Sequence, residues 1–231
     1  MKHGQYHNNP DKYGDLVDSL CEEYKEGIKL PPEYAFFFKE NLLSFLIRLS
    51  RYKFVAKQLN QQDQVLEISC GSGVGSIFIS QFYKKVTGID VKNYEIQEAI
   101  SINKRENVEY LVKDFFDIEH NRKFDVIVAL DVIEHLTDNE ANKFIENTRH
   151  HLTSCGLLVI GTPSIHSSPY QGPLSQASHV KCYDQPELIE LMQKFYDRCL
   201  SFSMNDELVH TGNSKMAWYY FVMAFYPRNK N

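Results

Sequence analysis

The stretch "VLEISCGSGVGS" (residues 65–76) runs from an apolar strand through a glycine-rich turn into the start of a helix. Gly71, Gly73 and Gly75 alternate in that turn, and glycine lets a backbone turn tightly and approach a ligand without an intervening side chain. A dinucleotide site favours G-x-G-x-x-G, whereas the spacing here is G-x-G-x-G followed by Ser76. The turn alone also fits an ordinary tight connection, so the ligand has to be inferred from its surroundings.

Asp90 ends the next predicted strand, "KVTGID" (85–90). It stands about 20 residues after the turn, where an acidic residue commonly meets ribose hydroxyls in nucleotide-binding α/β folds. A carboxylate accepts hydrogen bonds from both hydroxyls of a ribose diol. The sequence therefore predicts an adenosine ligand without a pyrophosphate. The alternative is that Asp90 only caps the helix that follows.

Short apolar strands alternate with amphipathic helices from residue 64 onward. The pattern predicts helices at 12–26, 34–59, 74–84, 93–104, 138–152 and 186–196, with Thr137 and Glu140 as a capping box. It predicts strands at 64–69, 85–90, 108–112, 124–130, 156–162, 198–204 and 216–226. Such alternation indicates an α/β fold with a doubly wound, mostly parallel sheet, preceded by N-terminal helices.

In such sheets ligands bind at the carboxyl ends of the strands. These ends place around one crevice residues 70–75, 90–92, 114–116, 131–135 and 162–183. We divide the chain into an N-terminal helical cap, 1–60, and an α/β domain, 61–231, that form one compact unit.

The composition narrows the classes of partner and the compartment. The 231 residues carry a formal net charge of −5 without a long Lys/Arg run, which makes a nucleic-acid partner unlikely on this pattern. Five cysteines without a C-x-x-C pair favour neither a disulfide framework nor a structural zinc site, so we expect a cytoplasmic protein. The N-terminus shows no signal-peptide core, and charged residues interrupt the most apolar helical stretch, so no membrane span is expected.

Four stretches, "VLEISCGSGVGS", "VTGIDV", "LVKDFFD" and "FDVIVALDVIEHL", resemble the successive motifs of class I S-adenosylmethionine-dependent methyltransferases. The resemblance covers roughly residues 50–165. It implies S-adenosylmethionine as cofactor and a seven-stranded, Rossmann-like methyltransferase sheet whose last strand is antiparallel. It also implies that Glu67 and the Gly71–Gly75 turn face the methionyl part, that Asp90 binds the ribose, and that Val91 lies beside the adenine.

The same resemblance implies roles for later residues. Asp114 accepts from the adenine amino group, and Phe115 lies against the base. Leu130 lies under the cofactor, with its backbone near the cofactor's amino group. "SRYKF" (50–54) resembles a helix that closes over the methionine end, where Arg51 or Tyr52 meets the carboxylate; Arg51 as an ordinary solvated residue is the alternative.

The segment "DVIEH" (131–135) has three interpretations. In a helical turn Asp131, Glu134 and His135 share one face. The first interpretation is a cap, in which Asp131 caps and Glu134 reaches back. The second is a metal site for Mg²⁺ or Mn²⁺, because the segment is similar to an acidic-x-x-Glu-His motif of some metal-dependent O-methyltransferases, with His179 as a further ligand. The third is acid–base chemistry, with His179 or His135 as the base.

Two further segments are candidates for the acceptor side. The long connection 161–184 offers Tyr170 and Gln176, and the predicted hairpin turn within 203–221 offers His210. The whole chain resembles methyltransferases of bacterial capsule and lipopolysaccharide biosynthesis, which implies O-methylation of a sugar or sugar-nucleotide-linked group. The partner expected is thus a small polar molecule. The alternatives are an RNA 2′-O-methyltransferase and a non-catalytic cofactor-binding module.

Overall fold

The computed structural model describes residues 10–58, 60 and 63–228. The helices are α1 (Pro10–Glu23), α2 (Pro32–Glu40), α3 (Leu42–Ala56), α4 (Val74–Ser80), α5 (Asn93–Ile102), α6 (Asp138–His151), α7 (Pro173–Ser178) and α8 (Gln185–Gln193). The strands are β1 (Gln64–Ile68), β2 (Lys85–Asp90), β3 (Val108–Val112), β4 (Phe124–Leu130), β5 (Leu152–Pro163), β6 (Tyr196–Asn205), β7 (Leu208–His210) and β8 (Tyr219–Pro227). Helices thus separate β1 from β2, β2 from β3 and β4 from β5, as the sequence pattern predicts, whereas a 3₁₀ turn, Phe115–Asp117, lies between β3 and β4.

All described strands join one sheet in the order β3-β2-β1-β4-β5-β8-β6-β7. Strands β1 to β5 pair in parallel, and β8 runs antiparallel between β5 and β6. This confirms the predicted α/β fold with a mostly parallel sheet and an antiparallel last strand. The predicted number of seven strands is wrong, because β7 adds an eighth at the edge. It has three residues and pairs with β6 across a turn at Asp206, whose φ is +48°, so it is too short to show in the sequence pattern.

Side chains of the central strands alternate between two buried clusters. Leu66, Ile127 and Leu158 belong to the cluster that includes residues of α6 and α8. The neighbouring strand residues belong to the opposite cluster, which also contains Val55 and Ala56 of α3. Both faces of the sheet are therefore covered, which explains why the strands read as nearly continuous apolar runs. The division of the chain at residue 60 stays a prediction.

The prediction of one helix over 34–59 is wrong, because Asn41 interrupts it and separates α2 from α3. Asn41 has φ −153° and ψ 72°, and its side chain accepts a hydrogen bond from the Ser44 N–H at 3.1 Å. Asparagine is among the best N-cap residues, so a polar side chain inside an apolar stretch starts a new helix. The capping box of Thr137 and Glu140 at the start of α6 is confirmed.

The connection 161–184 is also more regular than expected. It contains a 3₁₀ segment, Ile165–Tyr170, and the short helix α7. Ser164 begins the first of these by accepting from the His166 N–H, and Pro173 occupies the first turn of the second. Across the described ranges, none of the helices combines the length and apolar character needed to cross a bilayer.

Replacing Asn41 by Ala should lower the free energy of unfolding by about 1 kcal/mol, because the first turn of α3 loses its side-chain acceptor. Asn41→Asp is the matched control, since it keeps an acceptor at the same position. Chemical denaturation of both variants measures the effect. Equal stability of the Ala variant and the unaltered protein would contradict the capping role.

Candidate functional site: the crevice at the carboxyl ends of the strands

Two of the glycines in the turn after β1 are required by packing. A Cβ atom at Gly75 would come within 2.1 Å of the Tyr52 ring, and one at Gly73 within 2.5 Å of the Tyr110 hydroxyl oxygen. Gly73 also has φ +79°, which disfavours other residues. The Tyr110 hydroxyl donates to the Gly73 carbonyl at 2.9 Å. The turn is thus fixed against α3 on one side and against β3 on the other.

The turn borders two adjoining cavities. The first, which we call the polar cavity, has a volume of about 490 Å³, and the second, the apolar cavity, has about 300 Å³. Ser69, Asp90 and Val91 line both. The polar cavity is also lined by Glu33, Tyr34, Arg48, Arg51, Tyr52, Cys70, Gly71, Ser72, Lys92, Glu95, Leu130, Asp131, Glu134, His135, Pro163, Ser175, Ser178 and His179. The two cavities suit one elongated ligand with a polar end and an aromatic end.

Asp90 lies at the junction of the two cavities and is 8% exposed. Its Oδ2 accepts from the Gly71 N–H at 3.0 Å, and its Oδ1 accepts from the Lys92 N–H at 2.9 Å. The first residue of α5 is Asn93, preceded by Lys92 as N-cap without a side-chain cap bond, so the capping alternative for Asp90 is wrong. Its carboxylate instead ties the glycine turn to β2 and faces both cavities.

The apolar cavity contains the residues predicted for the adenine, with one difference. Val91 is exposed, and Asp114 lines the cavity while its carboxylate accepts from the Phe116 N–H at 2.9 Å. Phe115 borders the cavity but is buried, with its ring 5.3 Å from that of Phe144. Phe116 is half exposed and lines the same cavity. Phe116 was not among the residues predicted for the adenine, although "DFFD" (114–117) contains both aromatic residues.

Arg51 lies in the polar cavity, as expected, but it is not a solvated residue. Its Nη1 is 2.7 Å from Asp131 Oδ2, and its guanidinium carbon lies 4.0 Å above the centre of the Tyr219 ring. Asp131 has φ +57°, a left-handed conformation that is uncommon in residues other than glycine. The prediction that Asp131 caps a helix is therefore wrong, because its carboxylate pairs with α3.

Arg48 lies one helical turn before Arg51 and lines the same cavity. It pairs with Glu33 of α2 at 2.8 Å, and it stacks over the ring of Phe37 at 4.8 Å. Arg48 and Glu33 were not among the residues predicted for the site. The spacing of three residues between two arginines on one helix is the signal that was available.

Glu134 is completely buried at the back of the polar cavity. Its Oε2 accepts from the Thr162 hydroxyl at 3.0 Å, whereas Oε1 has no hydrogen-bond partner among the described residues. Burial first, and then the charge of Asp131, raises the pKa of Glu134 to about 8. The predicted capping-box role of Glu134 is wrong: the 3₁₀ turn Ile133–His135 has Val132 as its N-cap, with no side-chain cap bond.

His135 and His179 face each other at the same wall, with ring centroids 5.1 Å apart. His135 Nδ1 lies 2.9 Å from the Ser178 carbonyl oxygen, so Nδ1 carries the proton and Nε2 keeps a lone pair in the neutral ring. Burial and the neighbouring His135 lower the pKa of His179, which favours a neutral imidazole at physiological pH.

One ligand atom each from Glu134, His135 and His179 lie within 4.8 Å of one another. Asp131, the fourth predicted ligand, is not in this group because Arg51 holds it. The orphaned buried oxygen of Glu134 and the free lone pair of His135 fit a divalent cation that accepts nitrogen and oxygen ligands. The same atoms also fit proton transfer, so this geometry leaves both functions open.

The three residues predicted for the acceptor do not line the polar cavity. Tyr170 is 88% exposed, and the Gln176 amide donates to the Gln171 carbonyl at 2.9 Å. His210 accepts from the Gly212 N–H and donates through Nε2 to Asn205, so it braces the hairpin. The wall near His179 is formed instead by serines of α7, Ser175 and Ser178.

Glu67, predicted at the methionyl part, lies behind the glycine turn and is 2% exposed. It is not among the residues that line the polar cavity. The Ser76 hydroxyl donates to its carboxylate in a very short hydrogen bond, and the Tyr52 hydroxyl is a second donor. Burial raises the pKa of Glu67 to about 7, and the two hydrogen bonds oppose that rise.

Glu67→Gln should become more stable relative to the unaltered protein as the pH rises. A carboxyl whose pKa is raised on folding destabilises the folded protein as the pH rises from the unfolded pKa to the folded pKa, here from about 4.5 to about 7. The difference in the free energy of unfolding should grow by about 2–3 kcal/mol between pH 5 and pH 8. Urea denaturation at each pH measures it, and a constant difference would contradict the buried, protonated state.

Comparison with known proteins shows that part of the chain is similar to methyltransferases. Residues 65–156 match the family described as "Methyltransferase domain". Over 101 residues the chain is 29% identical to a ubiquinone biosynthesis O-methyltransferase of Rickettsia akari, which covers 43% of this chain and 39% of that protein. The chain therefore spans about two fifths of the length of this relative.

Two solved structures share the fold. A protein from Pyrococcus horikoshii OT3 has a TM-score of 0.65 and 17% identity, over 90% of this chain and 99% of that one. The complex of DhpI with S-adenosylhomocysteine has a TM-score of 0.64 and 17% identity, over 93% of this chain and 98% of that one. Residues 65–156 are thus similar to a methyltransferase domain, and the chain shares the fold of these two solved structures.

Proposed function

We propose that the protein transfers the methyl group of S-adenosylmethionine to an oxygen of a small polar acceptor. The observation that carries this proposal is the position of Glu134, His135 and His179 at the wall of the polar cavity, next to the turn and the Asp90 junction. A cofactor that spans both cavities would place its methionyl end in the polar cavity, which also contains the acid–base groups. The O-methyltransferase name of the Rickettsia relative supports oxygen as the acceptor atom.

The reaction would be an in-line displacement at the methyl carbon. An acceptor hydroxyl gives its proton to a neutral imidazole, for which His179 and the Nε2 atom of His135 are suited. The oxygen then forms a bond to the methyl carbon as the carbon–sulfur bond breaks, and sulfur keeps that electron pair. The protein mainly has to align the two reactants. Arg51 and Tyr52 are the candidates for holding the cofactor carboxylate.

The same three residues would hold a divalent metal ion such as Mn²⁺ or Mg²⁺. When bound there, the ion would polarise the acceptor oxygen and lower the pKa of its hydroxyl. The Ser178 carbonyl would orient His135 through Nδ1, as carbonyls do for metal-binding histidines. Asp131 would stay outside the site as the partner of Arg51.

We propose a sugar or sugar-nucleotide-linked group of surface polysaccharide synthesis as the acceptor. The support is the polar lining near the histidines, together with the resemblance described above. Screening of sugar nucleotides and of ubiquinone precursors for release of S-adenosylhomocysteine tests this choice. Turnover of ubiquinone precursors alone would shift the acceptor class toward the one in the Rickettsia relative's name. Cofactor binding without turnover of any acceptor would favour the non-catalytic module.

Asp90→Ala should weaken S-adenosylhomocysteine binding about 100-fold. It removes the proposed acceptor for the ribose diol, and hydrogen bonds to a charged group contribute about 1.5–3 kcal/mol each. It also frees the Gly71 N–H. Asp117→Ala is the control, because it removes one exposed carboxylate outside both cavities. Calorimetric titration of both variants measures the affinities, and equal affinities would remove the ribose assignment.

Glu134→Gln should abolish Mn²⁺ binding while the protein remains folded, because Gln keeps the size and the acceptor for Thr162 but loses the charge. The control is Glu95→Gln, which removes a carboxylate from the same cavity outside the ligand group. Electron paramagnetic resonance of free Mn²⁺ measures binding. If neither the unaltered protein nor the control binds Mn²⁺, the metal is rejected and direct proton transfer by a histidine is retained.

A further inference from the structure

A third cavity lies at the opposite edge of the sheet from the crevice. It has a volume of about 440 Å³ and is lined by residues that precede β4, end α6, begin β5 and follow β8. We call it the basic cavity, because Lys123, Arg149, His150 and Arg228 line it beside the hydroxyl residues Thr153 and Ser154. It shares no lining residue with the polar or the apolar cavity. The proposed function leaves it unexplained.

Three separate segments bring the positive groups together in a chain whose net charge is −5. Among the described residues that line the basic cavity, none carries a carboxylate. The Nζ of Lys123 donates to the carbonyl of His150. The negative end of α6 attracts cations and so accounts for Arg149 and His150, but not for residues from the other two segments.

Arg149 is built into this wall rather than lying on the surface. Its side chain is 9% exposed, and its guanidinium lies 5.3 Å from the centre of the Phe195 ring. Nη1 donates to the Arg228 carbonyl at 2.7 Å, and Nη2 reaches Glu146 at 3.4 Å. A guanidinium held in this way is pre-organised, so little conformational freedom is lost when it binds an anion.

Donors remain after these contacts are counted. A guanidinium has five N–H groups and an ammonium has three. Arg228 uses Nε for Asp197 at 2.8 Å, and Lys123 uses one N–H for the His150 carbonyl. Among the described residues, the Nη groups of Arg228 and the remaining N–H groups of Lys123 therefore have no hydrogen-bond acceptor. Arginine forks and lysine ammonium groups together are the donors that recognise phosphate oxygens.

We propose that the basic cavity binds the phosphate or diphosphate group of a small molecule. Its volume lies in the range of small-molecule sites, which is larger than a single phosphate requires. The concave shape and the overall negative charge favour a small phosphorylated ligand over a nucleic acid, which needs an extended basic face. The basic cavity is separate from the crevice, so it can be occupied while the polar and apolar cavities are also occupied.

The test is calorimetric titration with pyrophosphate at low ionic strength, using the full-length protein saturated with S-adenosylhomocysteine. Saturation keeps the probe away from Arg48 and Arg51. Lys123→Gln combined with Arg228→Gln should weaken pyrophosphate binding at least tenfold, since two charge-assisted contacts are lost. The control combines Lys143→Gln with Arg105→Gln, which removes the same two kinds of charge outside the cavity and should change the affinity less than twofold.

A second measurement guards against a folding defect. Pyrophosphate should raise the melting temperature of the unaltered protein and of the control, but not that of the double variant. Lys123→Gln alone should weaken pyrophosphate binding less than the double variant does, because it removes one of the two charge-assisted contacts. The Lys123 amino group makes one hydrogen bond within the described residues, to the His150 carbonyl, so the fold should change little. No binding at about 10 mM pyrophosphate, or equal loss in the control, would overturn the proposal. Tighter, steeply salt-dependent binding of single-stranded RNA, lost in the double variant, would overturn it in favour of a nucleic-acid surface.

Discussion

The carboxylate of Asp90 is the constraint on which the site depends. It accepts the Gly71 N–H and the Lys92 N–H, and so joins the glycine turn after β1 to the start of α5. Tyr52 fills the space that a side chain at Gly75 would need, and its hydroxyl helps to hold the buried Glu67. The glycine turn is therefore held by Asp90 of β2 and by Tyr52 of α3 without a ligand. Pre-organisation of this kind reduces the entropy lost on binding.

Because parallel strands end at one edge of the sheet, residues far apart in sequence meet in the crevice. Arg51 and Asp131 are 80 residues apart and form a 2.7 Å ion pair. His135 follows β4 and His179 follows α7, yet their rings are in contact. The backbone carbonyl of Glu134 accepts from the Val180 and Lys181 N–H groups, which fixes the end of the α7 connection against the β4 turn. Glu134 thus supplies a buried carboxylate with its side chain, and its backbone carbonyl holds the segment that follows His179.

The sequence predicted the features that depend on local pattern. Strand–helix alternation predicted the parallel sheet, which is confirmed. The glycine spacing and Asp90 predicted a turn at the crevice, where the Gly71 N–H donates to Asp90, and its role in cofactor binding stays a prediction. The sequence pattern failed where long-range contacts decide. Asp131, for which a helix cap was one of three interpretations, pairs with an arginine of α3. Glu67 is 2% exposed, and its place at the methionyl part stays a prediction. A single sequence shows which residues end a strand. It does not show which of their side chains form hydrogen bonds or ion pairs with residues of another element.

Charge is divided between the two edges of the sheet. The polar cavity is lined by the carboxylates of Glu33, Asp90, Glu95, Asp131 and Glu134, and by the cations Arg48, Arg51 and Lys92. Even with Glu134 protonated, four carboxylates face three cations there. Under the proposed function, such a lining would favour the positively charged sulfonium over its neutral thioether product and so help the product to leave. The basic cavity at the opposite edge has the reverse sign. The two edges of the sheet therefore differ in the charge of the groups that line their cavities.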